Sequence, residues 1–266
     1  MLQPCAPGGG AQQLSYAAAV GLREVLTSGK PAIGAWCVIP GTFTAEALAA
    51  AGFDWVCIDA QHGLIGYQEM LGMLQAVAVT GVPSLVRVPW NDPGWIMKAL
   101  DAGAAGVIVP MVNSPEEAEA AVGACRYPPL GFRSWGPTRA SLHAASYSPD
   151  SANRSVICAV MVETVPALDR LDEIVSVPGV DAVFIGPSDF ALSMGFAPRS
   201  DEPEHRRRLE GVPAVCRKHG VVPGIACGSA DLLARWRGAG YTMLAAPSDL
   251  VTLRRATAEV LDSVRR

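Results

Sequence analysis

Short, apolar, β-rich runs alternate with helical patterns of about a dozen residues, eight times over, and this alternation restricts the fold more than any other feature of the chain. Such alternation marks right-handed βαβ units, because two parallel strands can be joined only by a crossover, usually a helix. The strands read as Ile33–Ile39, Trp55–Asp59, Ser84–Val88, Gly106–Val109, Val156–Val162, Ala182–Ile185, Val222–Ala226 and Met243–Ala246. Most are apolar throughout, as strands covered on both faces must be. Helix boundaries fit the same count. Asn91-Asp92-Pro93 places an acidic cap before a first-turn proline, and Ser114-Pro115-Glu116-Glu117 reads as a capping box. Gly52, Gly81, Gly103 and Gly240 follow the last periodic apolar residues of helices, where a left-handed residue closes the final turn.

Eight βα units in a chain of 266 residues match one TIM (β/α)8 barrel, and no break in composition points to a second domain. The expected division is a loose tail over residues 1–20 and a barrel over residues 21–266. The opening residues lack a basic stretch and a long apolar run, so they do not read as a signal peptide. Half of the residues are hydrophobic and 17% are charged, enough apolar surface to offset the entropy of ordering and to exclude a disordered chain. A formal charge of −4, with Arg206–Arg208 as the only basic run, speaks against nucleic acid or an anionic membrane as partner. No apolar run reaches the roughly 18 residues a bilayer requires. The seven cysteines form no C-x-x-C pair, and several lie inside apolar runs. They read as buried thiols in a reducing, cytoplasmic setting. The longest connection, about Tyr127 to Ser155, is too long for an ordinary αβ loop and reads as a cover over some part of the fold.

In such a barrel chemistry sits at the C-terminal ends of the strands. The second strand ends Cys57-Ile58-Asp59-Ala60-Gln61-His62, the third carries Arg87, the fifth ends in Glu163, and the sixth runs into Gly186-Pro187-Ser188-Asp189. Glu163 and Asp189 follow adjacent strands and offer two hard oxygen ligands, which suits magnesium or manganese better than zinc. Each taken alone reads equally well as a helix-start acid. His62 lies three residues after Asp59, whose carboxylate could fix its tautomer and raise its basicity, as for a general base. A loop histidine is also commonly structural. Arg87, in an otherwise apolar strand, must meet an anion or a carbonyl, whether in a site or in a structural ion pair. The three lysines, Lys30, Lys98 and Lys218, stand away from the C-terminal strand ends. A Schiff-base mechanism needs an amine there, so electrophilic help would have to come from a metal.

The stretches FDWVCIDAQHG, LVRVPWNDP, ALDAGAAGVIVPMV, YPPLGFRSWGPTRA, VMVETVPALDRLDEI and GVDAVFIGPSDFALSMG, in this order over about Ile33 to Arg255, resemble the HpcH/HpaI aldolase family of metal-dependent class II pyruvate aldolases. The resemblance implies that Glu163 and Asp189 bind a divalent ion (Mg2+, Mn2+ or Co2+). It implies that His62, oriented by Asp59, is the base and that Arg87 meets the keto oxygen. Main-chain N–H groups around Gly186 and Ser188 would hold the substrate carboxylate at a helix start. Asp101 would be presented to a neighbouring subunit's site, in a homo-oligomer, typically a hexamer, with an exchanged last helix.

Two positions depart from the usual pattern: Gln61 stands where Glu is common, and Met161 where some members have Gln. Ala226 is smaller than the branched residue of other members and would enlarge the substrate pocket. The activity implied is cleavage of 4-hydroxy-2-oxo acids to pyruvate and an aldehyde, reversible as an aldol addition through an enolate formed at the metal. Two alternatives stay open: a citrate-synthase-like condensation of oxaloacetate with acyl-CoA, and a barrel that only binds a 2-oxo acid. A phosphate site in the loops Ala226-Cys227-Gly228-Ser229 and Ala246-Pro247-Ser248 is a further reading, resting on one small-residue turn.

Overall fold

Parallel pairing runs unbroken through β1 (Ala32–Cys37), β2 (Trp55–Asp59), β3 (Ser84–Arg87), β4 (Gly106–Val109), β5 (Ile157–Val162), β6 (Ala182–Ile185), β7 (Val222–Ala226) and β8 (Met243–Ala245), and β8 returns to β1. The closed eight-stranded barrel is therefore the one expected. The computed structural model describes residues 14–265, apart from 144, 145 and 199. Every strand lies within two residues of its expected place, because runs buried on both faces leave little latitude in register.

Alternate residues of each strand face inward, and this period of two builds the interior. Trp55 and Cys57, Leu85, Ile157, Ala159 and Met161, and Ala182 and Phe184 fill the barrel. Val56, Ile58, Val160 and Val162 face outward and pack with the helices. Continuing the inward series by one step places Asp59, Arg87, Glu163 and Gly186 at the top of the filled interior. Glycines leave room for its large rings: a Cβ on Gly34 would lie 2.2 Å from the Trp55 indole, and one on Gly224 would lie 2.7 Å from Phe184.

Helix boundaries follow local chemistry. The Asp92 carboxylate accepts from Trp95 N at 2.8 Å to open α4 (Pro93–Asp101), and Ser114 Oγ accepts from Glu117 N at 3.2 Å to open α5 (Pro115–Cys125). Gly52, Gly81, Gly103 and Gly240 all have positive φ, as helix-ending residues should.

Three elements bear on the sequence reading, and the first of them departs from it. The helix α1 (Leu14–Thr27) starts inside the stretch expected to be a loose tail, and residues 1–13 lie outside the described residues. Leu22 and Leu26 of α1 join the interior cluster, and Arg23 donates to Asp181 and to the Val156 carbonyl. Burial of these leucines, which a composition-based reading does not register, holds the helix against the N-terminal end of the barrel. Secondly, the connection from Tyr127 to Ser155 joins the end of α5 to the start of β5, so it covers the N-terminal end of the barrel and not its mouth. Its helix α6 (Pro149–Ser155) packs beside α1. Thirdly, the chain ends in α12 (Asp249–Arg265), which touches its own barrel chiefly at β1. Leu250, Leu253, Val260, Leu261 and Val264 form a stripe along this helix, and all are exposed.

Candidate active site

The register of β2 and β3 sets Asp59 directly beside Arg87. Arg87 Nε donates to Asp59 Oδ1 at 2.8 Å, and Nη2 donates to Oδ2, a two-pronged pair in which the carboxylate is wholly buried. Trp36, the inward residue above Gly34 on β1, donates from Nε1 to Oδ2 at 3.1 Å, and its ring lies 5.0 Å from the Arg87 guanidinium carbon. Main-chain N–H groups of Gln61 and His62 also donate to Oδ1, at 3.0 and 3.2 Å. Burial alone would raise the Asp59 carboxyl. The Arg87 hydrogen bonds and charge, with the Trp36 and His62 donors, outweigh it and hold Asp59 below its ordinary value. The same pairing overcomes desolvation at Arg87 and keeps it charged.

This corrects the expected partnership of Asp59 and His62. The carboxylate takes the main-chain N–H of His62, and its acceptor capacity is filled by Arg87, Trp36 and Gln61, so it does not orient the imidazole. His62 is exposed on the loop after β2. Asp59 instead fixes Arg87 and the turn that carries His62. Arg87 Nη1 makes no hydrogen bond among the described residues, and Arg87 lines the cavity at the barrel mouth.

Glu163 follows β5 with only 2% of its surface exposed. Its Oε1 accepts from Met111 N at 2.8 Å. Met111 itself has φ 55°, a left-handed conformation that costs a branchless residue about 1 kcal/mol and that aims this amide at the carboxylate. Across from it stands Gly186, where a Cβ would lie 2.3 Å from Glu163 Oε2 and 3.3 Å from the Met161 methyl. Any other residue would fill the cradle in which Glu163 sits. Burial pushes the Glu163 carboxyl up to about 7, and the nearby negative charge of Asp189 adds to the rise. The Met111 amide and the positive charge of Arg87 pull the other way.

Asp189, half-buried in the first turn of α9 (Pro187–Ser193), therefore shares a field with Glu163 and Arg87. A buried carboxylate whose proton affinity is raised in part by the charge of a second carboxylate beside it suits a cation between the two. Among the described residues no third His, Cys, Asp or Glu joins them. That donor set fits an ion that keeps water and substrate oxygens in its shell, such as magnesium or manganese, and does not fit a closed zinc site.

Of the other expected residues, Gln61 keeps its side-chain Oε1 buried without a partner among the described residues. Ala226 lines the mouth cavity together with Trp36, Arg87 and Ser188. Asp101 is elsewhere. It ends α4, which descends from the mouth to the N-terminal end of the barrel, and there it accepts from Arg133 Nη2 at 2.7 Å. Burial raises its carboxyl, and Arg133 opposes the rise. Asp101 thus takes no part in the site of its own chain. Lys98 lies against the Tyr67 ring and Lys218 pairs with Asp172, so neither reaches the mouth.

Sequence reasoning missed Met111, Trp36 and His205. Trp36 was hidden in an apolar strand, and only the inward phase of β1 would have singled it out. His205 is buried, and its Nε2 lies 2.9 Å from the Pro187 carbonyl at the cavity wall.

A family model described as HpcH/HpaI aldolase/citrate lyase matches residues 33–256. A hydroxypyruvate/pyruvate aldolase of Rhizorhabdus wittichii is 41% identical over 250 residues, covering 92% of this chain and 98% of the relative. A 4-hydroxy-2-oxo-heptane-1,7-dioate aldolase of Salmonella paratyphi C is 38% identical over 236 residues, covering 88% and 90%. Among solved structures, an HpcH/HpaI aldolase/citrate lyase family protein from Burkholderia cenocepacia superposes with a TM-score of 0.88 at 33% identity, covering 93% of this chain and all of that one.

Proposed function

Because the chain belongs to the HpcH/HpaI aldolase/citrate lyase family, we propose that it is a divalent-metal-dependent carbon–carbon lyase that cleaves 4-hydroxy-2-oxo acids to pyruvate and an aldehyde, and catalyses the reverse aldol addition. The observation that carries the reading is the pair Glu163 and Asp189: two carboxylates at neighbouring strand ends, one of them buried in a glycine cradle and pushed up to about 7 by burial and by the other. These two side chains would hold Mg2+, Mn2+ or Co2+. Such an ion supplies Lewis acidity at the 2-oxo group, easing removal of a proton from the adjacent carbon.

The chain's own residues account for the remaining steps. Main-chain N–H groups about Gly186 and Ser188 bind the substrate carboxylate, and Met161 and Gln61 flank it. Arg87, pinned by Asp59, aims its remaining Nη1 at the 2-oxo oxygen, where negative charge builds as the methyl proton leaves. His62 on the exposed turn exchanges that proton with water. In the addition, the nucleophilic carbon bonds to the aldehyde carbon, and the aldehyde oxygen takes a proton to become the 4-hydroxyl. In cleavage the hydroxyl proton leaves, the bond between the third and fourth carbons breaks, and the third carbon is reprotonated. Ala226 leaves room for the aldehyde. The setting is the cytoplasm.

The direct test is aldol addition of pyruvate to an aldehyde panel with magnesium, manganese or cobalt. EDTA should abolish turnover and restored metal should recover it. Undiminished activity of Glu163→Ala in the presence of chelator would sink the metal role.

We also assign a homo-oligomer in which α12 packs on a neighbouring barrel and Asp101 reaches a neighbouring site, a hexamer being the assembly the resemblance implies. Support comes from the exposed apolar stripe of α12, a surface that a 17-residue helix does not keep in water without a partner. Light scattering after gel filtration should give a multiple of the monomer mass, and Leu253→Glu with Val260→Glu should reduce it to the monomer. A wild-type monomer at micromolar concentration would overturn the assignment.

A further inference from the structure

The chain leaves β1 with two amides beyond the reach of the sheet. The pairing of β1 with β2 ends at Cys37, and its pairing with β8 ends at Gly34. The next two N–H groups go to a single carboxylate, that of Asp249 at the start of α12. Val38 N donates to Asp249 Oδ1 at 3.0 Å, and Ile39 N donates to Oδ2 at 3.1 Å. Asp249 is buried, and it stands in for a strand that is not there.

An acid at this place reads first as a helix cap, but α12 is capped already. Ser248 Oγ accepts from Val251 N at 3.4 Å, and the Ser248 carbonyl accepts from Thr252 N at 2.9 Å. Of the amides of α12, Asp249 takes that of its neighbour Leu250, at 2.7 Å. Its two oxygens thus tie the last helix to the end of β1.

The end of β1 in turn supports the turn that carries His62. Leu64 N donates to the Val38 carbonyl at 3.2 Å. At Gly63, between them, a Cβ would lie 3.2 Å from Val38 Cα and 2.2 Å from the Asp59 carbonyl oxygen, so glycine lets the turn close down on β1 and β2 together. The His62 side chain is exposed, and its place is set by the main chain on either side. Asp59 holds the N–H groups of Gln61 and His62, and Val38, itself held by Asp249, takes that of Leu64.

We propose that Asp249 is a positioning residue for proton transfer, fixing through Val38 and Ile39 the support on which the His62 turn rests. The inference rests on the reading of His62 as the base given above, and adds to it the group that keeps the base in place. Arg87 and Glu163, at the ends of β3 and β5, and Asp189 in α9 are held by other partners. Loss of the tie should therefore slow proton transfer without weakening the hold on metal or pyruvate.

The test is deuterium exchange at the pyruvate methyl group in the full-length protein with manganese, followed by proton NMR without any aldehyde. In D2O the methyl C–H bond breaks, the proton passes through His62 to solvent, and a deuteron returns to the same carbon. Asp249→Asn keeps the size of the side chain but turns an NH2 group toward one of the two amides. At saturating pyruvate it should slow exchange by roughly tenfold or more, a share of what a placed general base contributes. The KM for pyruvate and the manganese affinity, read by electron paramagnetic resonance, should stay as in the wild type. In a His62→Ala background the same substitution should cost nothing further, because Asp249 acts through His62. Unchanged exchange in Asp249→Asn overturns the proposal, as does an equal loss in the His62→Ala background or a parallel loss of manganese binding in a folded protein. Should Asp249→Asn not fold, Gly63→Ala decides: slowed exchange at unchanged KM supports the tie, and full exchange overturns it. Wild-type exchange that is indifferent to His62→Ala removes the base and this inference while the aldolase reading stands. Absence of exchange in the wild type overturns that reading as well.

Discussion

Glu163→Gln is expected to remove aldol turnover by about a thousandfold or more and, in metal-free protein at pH 8, to raise the melting temperature. The two effects share one cause. Glu163 is buried, and its carboxyl is pushed from 4.5 up to about 7 by burial and by Asp189. A group whose folded pKa is raised favours the folded state below its unfolded pKa and loses that advantage as pH rises through the folded value. Below pH 4.5 Glu163 is protonated in both states and exacts no penalty. Between 4.5 and about 7 the unfolded chain ionises first and stability falls. Above about 7 the penalty levels off, with a ceiling of about 3 kcal/mol at 1.36 kcal/mol per pKa unit.

Glutamine keeps the shape and can still accept from Met111 N, but carries no charge. The variant should therefore match the wild type near pH 4 and exceed it increasingly toward pH 8, as differential scanning calorimetry with chelator can measure. Added manganese should stabilise the wild type by mass action and leave the variant unmoved. The loss of turnover follows from losing one of two anionic ligands, with the electrostatic stabilisation they anchor. By the same logic the apparent metal affinity of the wild type should weaken as pH drops below about 7, where protons compete for Glu163. A variant that melts with the wild type across this range would show that Glu163 is not held in a charge-averse site.

What the sequence reveals about this molecule divides along a physical line. Strands buried on both faces write themselves as continuous apolar runs, so β1 to β8 and the closing order are legible, and the residues at their C-terminal ends follow. Glu163, Asp189 and Arg87 could be placed at one mouth because topology alone brings consecutive strand ends together. Partnership among them is not written locally. Asp59 was read with His62, three residues on, but the carboxylate belongs to Arg87, which lies 28 residues away in sequence and beside it in register. Met111 looks like a loop apolar residue, and its left-handed amide becomes visible only when the loop after β4 meets β5. Arg206 was read as part of a basic run, yet its place on the wall of the mouth cavity depends on how α10 (Pro203–Lys218) packs against β7. The helix α1 was read as tail because its first residues are small and unpatterned, and Leu22 and Leu26 are recognisable as core only once the barrel end they cover exists.

The pairing of Asp59 with Arg87 leads to the second large effect: Asp59→Asn should lower stability by about 3–5 kcal/mol and take most of the activity with it. Two oxygens of this buried carboxylate receive Arg87 Nε and Nη2, Trp36 Nε1 and the Gln61 and His62 amides. An asparagine offers one acceptor and turns an NH2 group toward donors, leaving a buried guanidinium without its countercharge, which is the costly half of breaking an ion pair. In a domain of this size the melting temperature should fall by roughly 10 °C. The guanidinium would swing toward other acceptors, so its free Nη1 no longer points at the 2-oxo oxygen, and the turn carrying His62 loses its anchor. Arg87→Met should also be inactive but milder in stability, since an apolar chain of similar length leaves no unpaired cation, although it strands the Asp59 carboxylate. Combining Asp59→Asn with Arg87→Met removes both charges. The double variant should recover much of the stability lost in Asp59→Asn and none of the activity, a positive coupling energy that a double-mutant cycle reads directly. Additive losses in that cycle would mean that the two side chains contribute independently, and that Asp59 does not act through Arg87.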